Sequence, residues 1–120
     1  MKNILVTGGS GFIGSATVKL LQDLGFQPVV FDNLVYGHKE ALNCPLVQGD
    51  LATDLEKLDK VFQENQFDAV IHFAGYAAAG ESMQNPYKYF FSNYVGGLNL
   101  VETMVKHKVK NIVFSSSCTV

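Results

Sequence analysis

A chain of 120 residues is long enough for one domain with one modest core. Apolar residues make up 48% of it and charged residues 17%, which excludes a disordered chain. The net charge is −2, and the nine basic residues are all lysine and form no cluster, which argues against nucleic acid as a partner. No apolar run approaches a membrane span. Residues 1–15 hold one lysine, a strand pattern and glycines, unlike a secretory signal. Cys44 and Cys118 lack metal-type spacing and read as free thiols of a cytoplasmic protein.

The first element is a short apolar strand over residues 3–7, continuous in the way central parallel strands are. It runs into Gly8-Gly9-Ser10-Gly11-Phe12-Ile13-Gly14, a Gly-x-x-Gly-x-x-Gly spacing that opens a helix. Glycines here allow a tight turn, let the backbone close on a pyrophosphate, and bring the helix close to the strand. The helix N-terminus adds unpaired N–H groups and the positive end of its dipole. The helix covers residues 12–24 with Ile13, Ala16, Leu20 and Leu24 on one face, and Gly25 stops it. A second strand, 27–32, ends in Asp32, 18 residues after Gly14. An acid at that point accepts hydrogen bonds from the adenosine ribose and repels a 2′-phosphate. With no arginine in the chain and Asn33-Leu34 following, NAD is favoured over NADP.

Residues 33–44 read as a loop, and 45–49 as a third strand followed by Asp50-Leu51. Asp50 serves either the adenine amino group or the turn itself. Thr53-x-x-Glu56 is a capping box that starts a helix to about Asn65, with Leu55, Leu58 and Phe62 inward. The fourth strand, 68–73, leads into a run of small residues, 74–80, which suits either a ligand close to the backbone or a flexible loop. His72 reads as a packed strand-end residue. Asn85-Pro86 starts a long helix to about Lys106. Tyr87, Phe91, Tyr94, Leu98, Val101 and Val105 form one stripe on it; Tyr89, Leu100 and Met104 lie off that stripe. One side should cover the sheet and another should meet a partner helix. Gly96-Gly97 costs about 1 kcal/mol per residue against alanine, which points to close packing on the sheet or a cofactor. A fifth strand, 111–114, precedes Ser115-Ser116-Ser117. Strands alternating with helices predict a doubly wound α/β fold, Rossmann-like, with parallel strand order 3-2-1-4-5 and an open edge at the fifth strand.

Several runs together resemble the N-terminal part of the UDP-glucose 4-epimerase family, within the extended short-chain dehydrogenase/reductase superfamily. They are residues 6–15, Phe31-Asp32-Asn33-Leu34, Gly49-Asp50-Leu51, His72-Phe73-Ala74-Gly75, Gly80-Glu81-Ser82, Asn93 and 114–120. The glycine motif is general to the superfamily, whereas His-Phe-Ala-Gly with the following Gly-Glu-Ser is more epimerase-like. The resemblance implies an NAD-dependent interconversion of UDP-glucose and UDP-galactose. In it a base takes the C4 hydroxyl proton, hydride passes to NAD⁺, and hydride returns to the other face of the 4-keto sugar. It implies Gly8, Gly11, Phe12, Ile13 and Gly14 at the pyrophosphate, and Asp32, Asn33, Leu34, Val35, Tyr36 and Gly37 around the adenosine ribose. Asp50 and Leu51 would meet the adenine, and Phe73, Ala74, Gly75, Tyr76, Ala77 and Asn93 would line the cofactor. Ser117 matches the family's catalytic serine.

Two departures stand out. Ala77 occupies a position where these epimerases commonly carry a lysine. No tyrosine of the five has a lysine four residues on, so the superfamily's Tyr-x-x-x-Lys pair is absent from these 120 residues. The chain therefore reads as about the first third of an epimerase, the N-terminal part of an NAD-binding domain, inactive alone and inclined to form a homodimer. The UDP-sugar would bind only in the full-length enzyme. Two other readings compete: a different sugar-nucleotide enzyme of the superfamily, such as a dehydratase or another 4-epimerase, and a non-catalytic dinucleotide-binding module.

Overall fold

The apolar run Ile4-Leu5-Val6 lies at the centre of a five-stranded parallel sheet of order β3-β2-β1-β4-β5. The structure, a computed structural model, describes residues 2–8, 12–32, 44–73 and 86–114, with the backbone alone for 12, 13 and 86–93. The strands are β1 (Asn3–Thr7), β2 (Gln27–Asp32), β3 (Leu46–Gln48), β4 (Phe67–His72) and β5 (Ile112–Phe114). The helices are α1 (Phe12–Asp23), α2 (Leu55–Glu64) and α3 (Pro86–Lys106). The expected strand order and element types are those found, with ends shifted by a residue or two.

Alternation along β1 sends Leu5 to one face of the sheet and Ile4 and Val6 to the other. Leu5 joins Val29, Phe31, Leu58, Val61, Phe62, Val70, Leu100 and Met104 in the larger core, under α2 and α3. Ile4, Val6 and Val30 meet Val18 of α1 in the smaller one. Two local devices keep these patterns in register. Asn3 pairs with Phe67 and Ile4 with Ala69, so Asp68 is an extra residue, a β-bulge that lets both Phe67 and Val70 enter the larger core. Asn3 N–H donates to Asp68 Oδ2 at 3.0 Å across it. Pro28 lies in a central strand, but in the part that β3 does not reach: β3 pairs only with Val30, Phe31 and Asp32. Its missing N–H costs no ladder bond there.

The helix faces differ from the expected ones. On α1 the inward positions are Gly14, Val18 and the half-buried Leu21. Ala16, Leu20 and Leu24 do share a face, but it is the outer one, with Leu20 58% and Leu24 65% exposed. On α3 the inward positions are Gly96, Leu100, Thr103 and Met104, while Tyr94, Leu98, Val101 and Val105 are exposed. Gly96 packs on the turn after β3 and not on the sheet: a Cβ there would meet Leu51 Cβ at 3.1 Å. Gly97 has open space beside it. The capping box at Thr53 does not form. Asp54 is the N-cap residue of α2, without a side-chain cap bond, because its Oδ2 turns back to accept Asp50 N–H at 2.7 Å. Leu58 and Phe62 point inward as expected and Val61 joins them, whereas Leu55 is half exposed.

The middle of α2 is tied to the C-terminal end of α3. Asp59 Oδ1 accepts from His107 Nε2 at 2.8 Å and from Lys106 Nζ at 3.0 Å, and the His107 ring stacks on Phe62. The hydrogen bonds from His107 and then Lys106 hold the Asp59 carboxyl below its ordinary range.

α1 and α3 end in the same way. Phe26 N–H donates to Leu21 O and Gly25 N–H to Gln22 O after α1; Val109 N–H donates to Met104 O and Lys108 N–H to Val105 O after α3. Both are Schellman closures, whose turning residue needs a positive φ. Gly25 supplies 91° without strain, but Lys108 adopts 62° with a Cβ. Replacing Lys108 by glycine is expected to stabilise the fold by about 1 kcal/mol. A urea unfolding series checks this: the midpoint should rise with an unchanged slope.

Candidate functional site

In a parallel sheet with helical crossovers, the carboxyl ends of the strands open onto the connecting loops, and ligands gather there. The register aligns four such ends. Thr7 of β1 pairs with Phe31 of β2 and His72 of β4, and Asp32 of β2 pairs with Gln48 of β3. β1, β3 and β4 thus deliver their next residues to the same edge as Asp32: Gly8, Gly49-Asp50 and Phe73.

Gly8 turns the chain out of β1 with φ 79°, the conformation that favours glycine. Its N–H donates to Phe31 O at 3.0 Å, which fastens the turn to β2 beside Asp32. α1 begins at Phe12, so its N-terminus lies at the same edge, and Gly14 is buried at the first turn. Asp32 is 7% exposed, and its backbone carbonyl accepts Gly49 N–H at 3.0 Å. Gly49 is glycine for a local reason: a Cβ would stand 2.7 Å from Phe31 Cζ, inside a fully buried ring.

Asp50 forms its own turn. Its Oδ1 accepts Ala52 N–H at 2.8 Å and its carbonyl accepts Asp54 N–H at 2.7 Å. The turn-forming role expected as one of two alternatives is therefore realised. Leu51 is buried in the larger core.

Between β1 and β4 the edge carries a polar pair that sequence reasoning did not link. Thr7 Oγ1 and His72 Nδ1 share a buried hydrogen bond of 2.6 Å. The His72 ring also lies against Phe114 of β5, with centroids 5.1 Å apart. Next to it, Phe73 N–H donates to Thr7 O at 2.7 Å. His72 is thus packed, as its position at a strand end suggests. A threonine and a histidine closing two runs that must pair in parallel were the available signal. Burial pushes the His72 imidazole down from 6.5 to about 4.

Of the expected site residues, Gly8, Phe12, Ile13, Gly14, Asp32, Asp50, Leu51, Phe73 and Asn93 fall within the described residues, Phe12, Ile13 and Asn93 by backbone only. Asn93 belongs to the first half of α3. Gly11, Asn33, Leu34, Val35, Tyr36, Gly37, Ala74, Gly75, Tyr76, Ala77 and Ser117 lie outside them. No helix among the described residues is long and apolar enough to cross a membrane, and no group of His, Cys, Asp or Glu among them could hold a metal ion.

A strand–glycine turn–helix unit with an acid ending the next strand matches known proteins along the whole chain. A model of the NAD dependent epimerase/dehydratase family matches residues 4–120. The chain belongs to that family. Among its relatives, it is 49% identical over 131 residues to the bifunctional UDP-glucose 4-epimerase and UDP-xylose 4-epimerase 3 of Arabidopsis thaliana. That alignment takes in 99% of the chain but 37% of the relative, so the chain spans little more than a third of such enzymes. The UDP-glucose 4-epimerase of Brucella ovis, crystallised with NAD, superposes with a TM-score of 0.92 at 43% identity, covering 98% of this chain and 36% of that one. The enzyme of Bifidobacterium longum, crystallised with NAD⁺ and UDP, gives 0.91 at 38% identity, covering 99% and 38%.

The buried imidazole is expected to make this fold acid-sensitive. Unfolded His72 takes up a proton near pH 6.5, but folded His72 does so only near 4. Its contribution to stability is complete above pH 6.5 and is lost as the pH falls to about 4, by at most about 3 kcal/mol. Denaturation from pH 7 to 4 should show this loss, and a His72→Asn chain should show a flatter profile over the same window. Asp59, with its lowered carboxyl, adds a further loss below that window.

Proposed function

We propose that the chain is the NAD-binding portion of a UDP-glucose 4-epimerase, acting on UDP-sugars once joined to the rest of that enzyme. One arrangement carries the reading: the Gly8 turn, the start of α1 and Asp32 meet at one sheet edge, in a chain that belongs to the NAD dependent epimerase/dehydratase family. The residues fit a dinucleotide. The turn at Gly8 presents backbone where a diphosphate needs close approach, and the N-terminus of α1 favours its charge. The Asp32 carboxylate accepts from ribose hydroxyls and repels a 2′-phosphate. Asp50 and Leu51 receive the adenine; residues 73–77 and Asn93 line the remainder, and Ser117 hydrogen-bonds the reacting hydroxyl. When bound, NAD⁺ supplies the hydride acceptor and donor for C4 inversion. Proton abstraction from that hydroxyl needs a positioned base of near-neutral pKa. None of these 120 residues forms the Tyr-x-x-x-Lys pair, so the chain alone is expected not to turn over.

Calorimetric titration with NAD⁺ and NADP⁺ tests this. The wild-type chain should bind NAD⁺ and not NADP⁺, and Asp32→Ala should weaken NAD⁺ at least tenfold, about 1.4 kcal/mol or more. Absence of NAD⁺ binding would overturn the reading for this chain, and UDP-galactose turnover by the rigorously purified chain would overturn its inactivity.

The outer face of α3 supports a homodimer. Tyr94, Leu98, Val101 and Val105 form an exposed apolar stripe, with Val105 71% exposed, larger than solvated helices ordinarily carry. A second copy laying the same stripe across it buries both. Light scattering over a wide concentration range should give a dimer for the wild type and a monomer for Val101→Asp with Val105→Asp; a wild-type monomer throughout sinks the idea.

A further inference from the structure

The inner face of α3 touches the turn after β3 at two points. Gly96 lets the helix backbone approach to where a Cβ would be 3.1 Å from Leu51 Cβ and 3.7 Å from Ala52 N. Almost one helical turn on, Asn99 Nδ2 donates to Leu51 O at 2.7 Å and to Ala52 O at 3.4 Å. Asparagine is a poor residue for the middle of a helix, and this pair of bonds accounts for it. From these contacts we infer that Asn99 is a positioning residue for the adenosine end of the dinucleotide site, acting through the Asp50–Ala52 turn. The inference rests on the epimerase reading, which gives that turn its ligand.

Two sets of bonds act on the turn, and they do different things. The local set gives it its shape: Ala52 N–H to Asp50 Oδ1, Asp54 N–H to Asp50 O, and Asp50 N–H to Asp54 Oδ2. None of these reaches outside residues 50–54, so none sets where the turn stands. β3, which leads into it, is three residues long, lies at the sheet edge and is only partly buried, a weak anchor. The Gly49 N–H bond to Asp32 O ties the entry of the turn to β2, and the Leu51 side chain seats it on the larger core; the contacts from α3 add a hold on its backbone at Leu51 and Ala52. Thr103 Oγ1 in turn donates to Asn99 O at 2.8 Å, so the buried Thr103 hydroxyl is satisfied within α3. The Asp50 carboxylate is therefore placed in part by a helix remote in sequence, and its placing decides whether it meets an adenine amino group.

A double-mutant cycle tests this, with NAD⁺ titrated against wild type, Asn99→Asp, Asp50→Ala and the double variant. Asn99→Asp keeps the shape of the side chain but removes its N–H donors. It should weaken NAD⁺ about tenfold in the wild-type background and leave affinity unchanged when Asp50 is already alanine, since its effect runs through that residue. Gly96→Ala should act in the same direction. Amide exchange of Ala52 and Asp54 should quicken in Asn99→Asp, with Leu5 and Val70 unchanged. Additive losses in the cycle, an unaltered affinity, or faster exchange throughout the chain would each overturn the proposal and mark Asn99 as a general packing residue. If the wild type binds no NAD⁺, the cofactor reading fails and the inference falls with it; wild-type binding with an indifferent Asn99→Asp sinks the inference alone.

Discussion

The arrangement depends on β1 being paired in parallel on both sides. With β2 on one flank and β4 on the other, Thr7 is brought level with Phe31 and His72. The glycine turn, the acid of β2 and the exit of β4 then share an edge because of backbone register, before any side chain contributes. A slip of one residue on either flank would send every apolar side chain of that strand to the opposite face. The two unequal cores, with Leu5 on one side and Ile4 and Val6 on the other, make such a slip costly. The bulge at Asp68 confines the one irregularity to the far end of the β1–β4 ladder, away from the site.

At the site end, successive ties cross the strands. Gly8 is bonded to Phe31, Gly49 to Asp32, Phe73 to Thr7, and Thr7 to His72. These lie where the ladder stops and the backbone has begun to lose its regular partners, so they extend the sheet's order into the first residue of each loop. Gly49 belongs to the same economy of space: it is small because the Phe31 ring fills the room, and that ring anchors the strand ending in Asp32.

The sheet and its order were legible in the sequence, as were the long helix and the glycine stop at Gly25. Continuous apolar runs and glycine punctuation report local backbone states, and right-handed crossovers leave few topologies. The inward faces of α1 and α3 were not legible. In α1, Ile13, Ala16, Leu20 and Leu24 compete with Gly14, Val18 and Leu21, and a 3.6-residue period fits both. The sheet took the stripe containing glycine and valine, since a helix must come close to a strand that turns tightly into it. In α3, Tyr94, Leu98, Val101 and Val105 face outwards and Gly96, Leu100, Thr103 and Met104 face in. Hydrophobicity measures how strongly a face wants cover, and it does not say which neighbour provides it. The Thr53 box failed for a related reason: Asp54 had a competing acceptor role towards Asp50 that only the turn geometry reveals. At the candidate site, the glycine turn at Gly8 and the strand-end place of Asp32 were legible from spacing, and the turn at Asp50 was one of two alternatives the sequence left open. Thr7 with His72 and Asn99 with Leu51 were not legible, because each pair joins residues about 50 or more positions apart.

The parallel pairing of β1 also has a consequence in time. Its two neighbours are distant in sequence: Asn3 pairs with Gln27 on one side and with Phe67 on the other. A chain emerging from the ribosome can form the β1–α1–β2 unit early, but its first strand keeps one bare edge until β4 has been made. Loop closure over some sixty residues comes before the contacts that reward it, so assembly of the sheet centre is expected to be slow and late. Through that interval the strand that will anchor the glycine turn offers an unpaired apolar edge to any other nascent chain.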